Sequence, residues 1–178
     1  MLSIRPAALS DIPAIARIYR DAVVQGTATF ELAPPSEAEM AARMAHVIDG
    51  GYPYLAADLD DACAGYAYAG AYRLRPAYRF TVENSVYVAP AAQRRGVGRA
   101  LLDALIEQCG KGGFRQMVAV IGDSKNQAAS IGLHKAAGFD VAGRLEHVGF
   151  KHGRWLDTLL MQRPLGDGGD SPPEKLRR

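Results

Sequence analysis

Residues 93–98 read Gln93-Arg94-Arg95-Gly96-Val97-Gly98 and stand directly ahead of an apolar pattern, Val97, Leu101, Leu102, Leu105 and Cys109, that has helical spacing. The first backbone N–H groups of a helix have no partner within it and carry partial positive charge, so an anion fits there. Glycine lets that anion approach the backbone and the arginines add positive field, which suits a pyrophosphate. An ordinary strand-to-helix turn with solvated arginines would carry the same letters. The loop is not a Walker A, which needs a Gly-Lys-Ser/Thr ending, and it lacks the third glycine of a dinucleotide fingerprint. Upstream, Val82, Asn84, Val86 and Val88 alternate with Glu83, Ser85 and Tyr87 as the two faces of a strand. Glu83, a carboxylate in partly desolvated surroundings, is a candidate general base, or else the ion-pair partner of Arg73 or Arg79. Asn126, Ser130 and His134 recur every four residues as one polar helical stripe, and the imidazole can move a proton near neutral pH. Arg73, Arg75 and Arg79 crowd one short loop, where guanidinium groups could grip a carboxylate and a second oxygenated group of a small amino acid, or simply be solvated.

These residues need a scaffold. With 178 residues, 48% of them apolar, the chain can bury one sizeable core and is short for two. Leu2, Ile4 and Pro6 alternate as a first strand. Ser10 is placed to cap a helix whose buried face is Ile12, Ile15, Ile18, Tyr19 and Val23, and Ser36 to cap a second with Met40, Met44 and Val47. Residues 54–57 and 62–72 read as a hairpin around 58–61, with Tyr66, Tyr68 and Tyr72 on one face. Residues 114–121 form a strand, 126–137 a helix stopped by Gly138, and 141–148 with 155–161 a last pair. The pattern is α/β, with a single domain over 1–163 and a disordered tail over 164–178.

Composition narrows the partners. A net charge of +2 offers neither a nucleic-acid stripe nor a polybasic membrane patch. Cys63 and Cys109, at unrelated spacing in apolar surroundings, read as free thiols of a reducing compartment, so the cytoplasm is expected. The sequence shows no apolar run of membrane-span length and no export signal ahead of a mature start near Met1. The four histidines lack metal-ligand spacing, His46 and His147 having no context at all, and no metal is expected.

The 93–98 loop resembles the Q/R-x-x-G-x-G/A signature of the GCN5-related N-acetyltransferases (GNAT), and TVENSVYV at 81–88 is similar to the phosphinothricin and methionine sulfone/sulfoximine acetyltransferase branch. The resemblance runs over residues 1 to 163 and implies the acyl-CoA N-acyltransferase fold, a mixed, mostly antiparallel central sheet flanked by helices. It implies acetyl-CoA as co-substrate, its pyrophosphate on Arg94, Arg95, Gly96, Val97, Gly98 and Arg99. The pantetheine would pair like an added strand with Val86, Tyr87 and Val88, a backbone N–H near Val88 facing the oxyanion, and contact Asn126 and Ser130. By the same resemblance Glu83 is the base, and His134, standing where much of the family has tyrosine, protonates the departing thiolate. Arg73, Leu74, Arg75, Arg79, Glu83, Asn84 and Ser85 line the amino-acid pocket, approached by Thr29 and Phe30. Residues 151–155, KHGRW, match the branch as the hairpin into the last strand. A homodimer is implied too, with the last hairpin as its natural contact.

The leading expectation is therefore acetyl transfer to the α-amine of a phosphinothricin-like or methionine-sulfone-like amino acid. Another amine, such as a drug, a polyamine or a protein N-terminus, is the rival acceptor, although arginines would repel a polycation. A non-catalytic acyl-CoA sensor is the rival outside enzymes.

Overall fold

The alternating residues at 82–88 lie in the middle of a seven-stranded sheet. The computed structural model describes residues 1–173. Its strands are β1 (Leu2–Pro6), β2 (Tyr54–Leu59), β3 (Ala62–Ala71), β4 (Thr81–Val88), β5 (Gln116–Gly122), β6 (Asp140–Lys151) and β7 (Arg154–Pro164), in the order β1-β2-β3-β4-β5-β7-β6. β4 and β5 run parallel and the other neighbours antiparallel. The helices are α1 (Ile12–Gln25), α2 (Glu37–Asp49), α3 (Val97–Lys111) and α4 (Ala128–Ala136).

Period-two alternation sorts the sheet's side chains onto two cores. On one face Leu55, Ala57, Ala67, Val82 and Met117 meet the apolar stripe of α3, whose Leu101, Leu102 and Leu105 are fully buried, each contributing about 2 kcal/mol. Gly65 permits that approach, since a Cβ there would sit 2.8 Å from the Tyr87 carbonyl oxygen and 3.1 Å from Val97. On the other face Tyr54 and Tyr66 pack under Ile15, Ile18 and Val23 of α1 and Met40 and Met44 of α2. Tyr66 stacks on Tyr87 of β4, which carries the aromatic face toward the middle of the sheet.

The feature that matters for a site is a fork. β4 pairs with β5 from Thr81↔Gln116 to Asn84↔Ala119, but pairs with β3 as far as Val88, while β5 pairs with β7 as far as Gly122. Beyond Asn84 and Ala119 the two halves of the sheet part, and Ser85 to Val88 have no β5 partner.

Several local expectations shift. Ser36 caps α2, accepting from Glu39 N–H at 3.2 Å, but Ser10 lies inside a 3₁₀ turn and caps nothing. Asp11 holds the N-cap position of α1 without a side-chain capping bond to it; its carboxylate instead accepts from Ala8 N–H at 2.8 Å, at the start of the 3₁₀ turn, and pairs with Arg5 at 2.7 Å, which holds it below the usual range. Asn126 belongs to a 3₁₀ turn (Ser124–Asn126) ahead of α4, so it is not on one helical stripe with Ser130 and His134. The tight turn of the first hairpin is Asp60-Asp61, both at positive φ, with β2 extending to Leu59. The expected loose tail does not begin at 164: Leu165 is 3% exposed and Arg115 donates to the carbonyl oxygens of Gly168 and Ser171. Residues 174–178 of that tail lie outside the described residues.

Candidate active site

The fork opens into a cleft of about 340 Å³. One wall is β4, with Glu83, Ser85 and Tyr87, and the other is β5 from Ala119 to Gly122. Thr29 and Phe30 from the α1–α2 connection close one side and Ser130 and His134 from α4 another. Glu83 faces this space as its alternation requires. Burial pushes its carboxyl above the ordinary glutamate value, and the positive charge of Arg73 partly offsets the rise. Among the described residues no salt bridge engages it, so the ion-pair alternative to a base is not realised in this structure.

At the mouth of the fork stands α3. Gly96 is its N-cap with φ +84, a left-handed conformation that glycine adopts without strain, and a Cβ there would meet nothing within 4 Å. Arg94 is also left-handed at φ +59. The first intrahelical bond of this end is Ala100 N–H to the Gly96 carbonyl, and among the described residues Val97, Gly98 and Arg99 N–H find no protein acceptor. Unpaired N–H groups at a helix end, beside the open space at Gly96, fit an anion of pyrophosphate type. A Cβ at Gly98 would stand in ordinary contact with Val88 and Leu133, each at 3.5 Å. The arginines are less committed to an anion than the motif suggests. Arg95 pairs with Asp60 at 2.8 Å, and Arg99 with Asp103 at 2.5 Å and with the Ala136 carbonyl at 3.1 Å.

His134 is 4% exposed, with Nδ1 2.8 Å from the Ser130 carbonyl oxygen and Nε2 3.1 Å from Asn84 Oδ1. Burial lowers its proton affinity and the Ser130 carbonyl raises it. Asn84 is buried and turned to His134 and to the Val118 carbonyl, so it reaches the cleft as part of its frame. Arg73, Leu74, Arg75 and Arg79 do not line the cleft. All four are exposed, Leu74 at 94%, and Arg73 and Arg79 lie over the Tyr72 and Phe80 rings. Asn126 is exposed too, its Nδ2 3.0 Å from Asp123.

The sequence reading missed Asp123. It is buried at a left-handed φ of +54 and accepts from Thr27 Oγ1 at 2.6 Å, Asn126 Nδ2 at 3.0 Å and Arg154 Nη2 at 2.5 Å, which together hold its carboxyl far below the usual range. It ties the α1–α2 connection to the end of β5 and to the KHGRW hairpin. Lys151 of that hairpin, also buried, donates to the Thr29 carbonyl at 2.8 Å. The polar run Gly-Asp-Ser-Lys-Asn straight after a strand was the available signal.

A free helix end aligned with a strand fork is an acyl-CoA geometry, and the comparisons agree. Residues 4–160 match the family model described as an acetyltransferase (GNAT) domain. The chain belongs to the GNAT acetyltransferase family. Among its GNAT relatives is a phosphinothricin N-acetyltransferase of Alcaligenes faecalis, 57% identical over 92% of this chain and 83% of that protein. Another is an L-methionine sulfoximine/L-methionine sulfone acetyltransferase of Pseudomonas aeruginosa, 42% identical over 96% and 98%. The crystal structure of a GNAT superfamily phosphinothricin acetyltransferase from Sinorhizobium meliloti with acetyl-CoA superposes with a TM-score of 0.94 at 49% identity, covering 99% of this chain and 98% of that one. This GNAT protein is an acetyl-CoA-dependent N-acetyltransferase.

Proposed function

We propose that the chain acetylates the α-amine of a small amino acid such as L-methionine sulfone, L-methionine sulfoximine or L-phosphinothricin, with Glu83 as general base. The observation that carries the reading is the placement of Glu83. It is a partly desolvated carboxylate with no ion-pair partner among the described residues, on the strand that parts from β5 at the fork and leads on through Val88 to the loop before α3. An ammonium has no lone pair, so Glu83 takes the first proton, directly or through one water. The N–H groups at Gly96, Val97 and Gly98 would hold the pyrophosphate, and the β4 edge at Val86, Tyr87 and Val88 the pantetheine amides. Bound acetyl-CoA supplies the activated acyl carbon. A backbone N–H near Val88 would offset negative charge growing on the thioester oxygen. The second proton shed by the acetylated nitrogen balances the one taken up by the departing thiolate.

The names of the relatives support the acceptor class. Arg73, whose charge is felt at Glu83, and Arg75 and Arg79 of the same exposed loop are the groups through which a carboxylate and a phosphinate or sulfone would be gripped once an acceptor is bound. N-acetylation masks the amine of such compounds, which gives the activity a role in resistance to them, acting in the cytoplasm. A homodimer is supported by the edge strand β6 and its hairpin partner, where Val141, Leu145, Val148, Phe150 and Trp155 are each more than half exposed.

Thiol release from acetyl-CoA, measured over a panel of L-methionine sulfone, L-methionine sulfoximine, L-phosphinothricin, spermidine and a peptide N-terminus, tests the proposal. Turnover with the first three and little with the last two is expected. Cofactor binding without turnover of any amine would make the chain a sensor instead.

A further inference from the structure

Tyr68 stands at the edge of the cleft with a different neighbour on each side. On β3 it pairs with Ser85 of β4 and with Tyr54 of β2. Directly paired residues share a face of the sheet, so the Tyr68 ring rises between the Ser85 and Tyr54 side chains, on the same side as Glu83. Gly70, two residues along β3 and paired with Glu83, has no side chain, and a Cβ there would meet nothing within 4 Å. An acceptor whose amine reaches Glu83 therefore finds open space over Gly70 and meets the Tyr68 ring at the next position of that face.

Behind the ring lies a second space. A groove of about 430 Å³ runs between α2 and the β2–β3 tyrosines, lined by Met40, Ala42 and Val47 of the helix and by Tyr54 and Tyr66 of the sheet. Among the described residues Tyr68 alone borders both this groove and the cleft. It is only half-buried although its strand lies inside the sheet, and the Tyr54 ring stacks against it at 5.1 Å with 11° between the planes. The α1–α2 connection borders both spaces too. Tyr19 in the groove wall meets Thr29 Oγ1 of the cleft at 3.1 Å, and Arg43 on the groove rim pairs at 2.6 Å with Glu31, one residue past Phe30. Burial raises the proton affinity of the Tyr68 hydroxyl, and the charges of Glu83 and Arg43 both reach it, one from each space.

We propose that Tyr68 is a specificity-determining residue for acceptor length: its ring is the partition between the cleft and the groove, and it confines the enzyme to acceptors with short side chains. The proposal rests on the acetyl-transfer reading and adds to it the class of acceptor that is shut out. Removing the ring joins the two spaces. The groove is walled by aromatic and aliphatic side chains, and the charge of Arg43 at its rim is paired with Glu31 and Glu39. The joined space therefore takes a long apolar or aromatic side chain, and offers little to a charged one.

The test is kcat/KM for L-homophenylalanine relative to L-methionine sulfone, measured by thiol release. In the wild type the long acceptor is expected to be poorer by about tenfold or more, and in Tyr68→Ala the ratio should rise by about tenfold. Tyr68→Phe keeps the ring and should keep the wild-type ratio. Tyr68→Val, a good strand former, takes the place of Tyr68→Ala if that variant does not fold. Ala42→Trp refills the groove from an exposed position of α2; alone it should leave the kinetics unchanged, and in the Tyr68→Ala background it should remove the gain. A wild type that takes both acceptors equally, a ratio that does not rise without the ring, or a gain that survives Ala42→Trp would overturn the proposal. Calorimetry with N-acetyl-L-homophenylalanine in the presence of coenzyme A reads the same partition without turnover: binding about tenfold tighter to Tyr68→Ala is expected, and equal binding would overturn it. A wild type that acetylates no amine would sink the functional reading, and the calorimetry would still decide the role of Tyr68.

Discussion

Replacing Gly149 by alanine attacks the acceptor side of the cleft from behind. A Cβ at 149 would lie 2.5 Å from Phe30 Cδ2 and closer still to Cε2, about 1 Å short of ordinary contact. The far side of the ring is also blocked, since a Cβ at Gly122 would be 2.6 Å from Cε1, so Phe30 sits in a slot between two glycines. The backbone around it is tied down by Lys151 to the Thr29 carbonyl at 2.8 Å, Tyr19 to Thr29 Oγ1 at 3.1 Å and Thr27 to Asp123 at 2.6 Å. The added methyl therefore swings the ring into the cleft and does not lift the loop. Overpacking of this kind costs roughly 1 to 3 kcal/mol. Set against acceptor binding, the low end of that range is about a fivefold rise in the acceptor KM. The acetyl-CoA KM is expected to stay put, because the helix end and the β4 edge are untouched. Thiol release at varied acceptor and varied acetyl-CoA separates the two constants. In a Phe30→Ala background the Gly149→Ala effect should vanish. An unchanged acceptor KM, an equal rise in both constants, or an effect that persists without the Phe30 ring would refute the reasoning.

Other perturbations follow from the same geometry. Arg73→Gln removes the charge that holds down the proton affinity of Glu83, so the acid limb of kcat/KM should move to higher pH; a downward move would show that Arg73 acts otherwise. Asp123→Asn weakens its bonds to Thr27, Asn126 and Arg154 and should cost roughly 2 to 3 kcal/mol in chemical denaturation at neutral pH. The folded-state carboxyl is depressed, so its stabilisation is full above the ordinary aspartate value and is lost as pH falls through the depressed one; the gap between wild type and variant should therefore close on acidification. Trp155→Glu with Phe150→Glu puts charge on the exposed apolar hairpin, and light scattering should then give a monomer mass where the wild type gives a dimer.

What the sequence made legible was local. The Gly96 loop, the α3 stripe, the Ser36 cap and the two faces of β4 depend on neighbours within a few residues, and they stand where periodicity and capping put them. The fork was not legible, because it arises where the β4–β5 register stops at Asn84↔Ala119, between strands separated by all of α3. The same distance hid the partners of Asn84, which the letters allowed only as a pocket residue, and made His134 look like an open donor. Asn126 was drawn onto the α4 stripe by its spacing alone. The left-handed Asp123 and the 3₁₀ turn after it break the helical phase before α4 begins. The arginines at 73, 75 and 79 suggested an acceptor grip by charge alone, but nothing in their spacing fixes where a side chain lies, and here they are exposed and none lines the cleft.

The central claim is that Glu83 removes a proton from an amine held next to a thioester, and Glu83→Gln tests it most directly. Single-turnover acetylation of L-methionine sulfone and the dissociation constant of acetyl-CoA, measured on the same preparation, should separate. The account predicts a rate loss of about 10² to 10⁴ with acetyl-CoA affinity within about twofold of wild type. A rate near that of wild type, or equal losses in rate and in affinity, would contradict it.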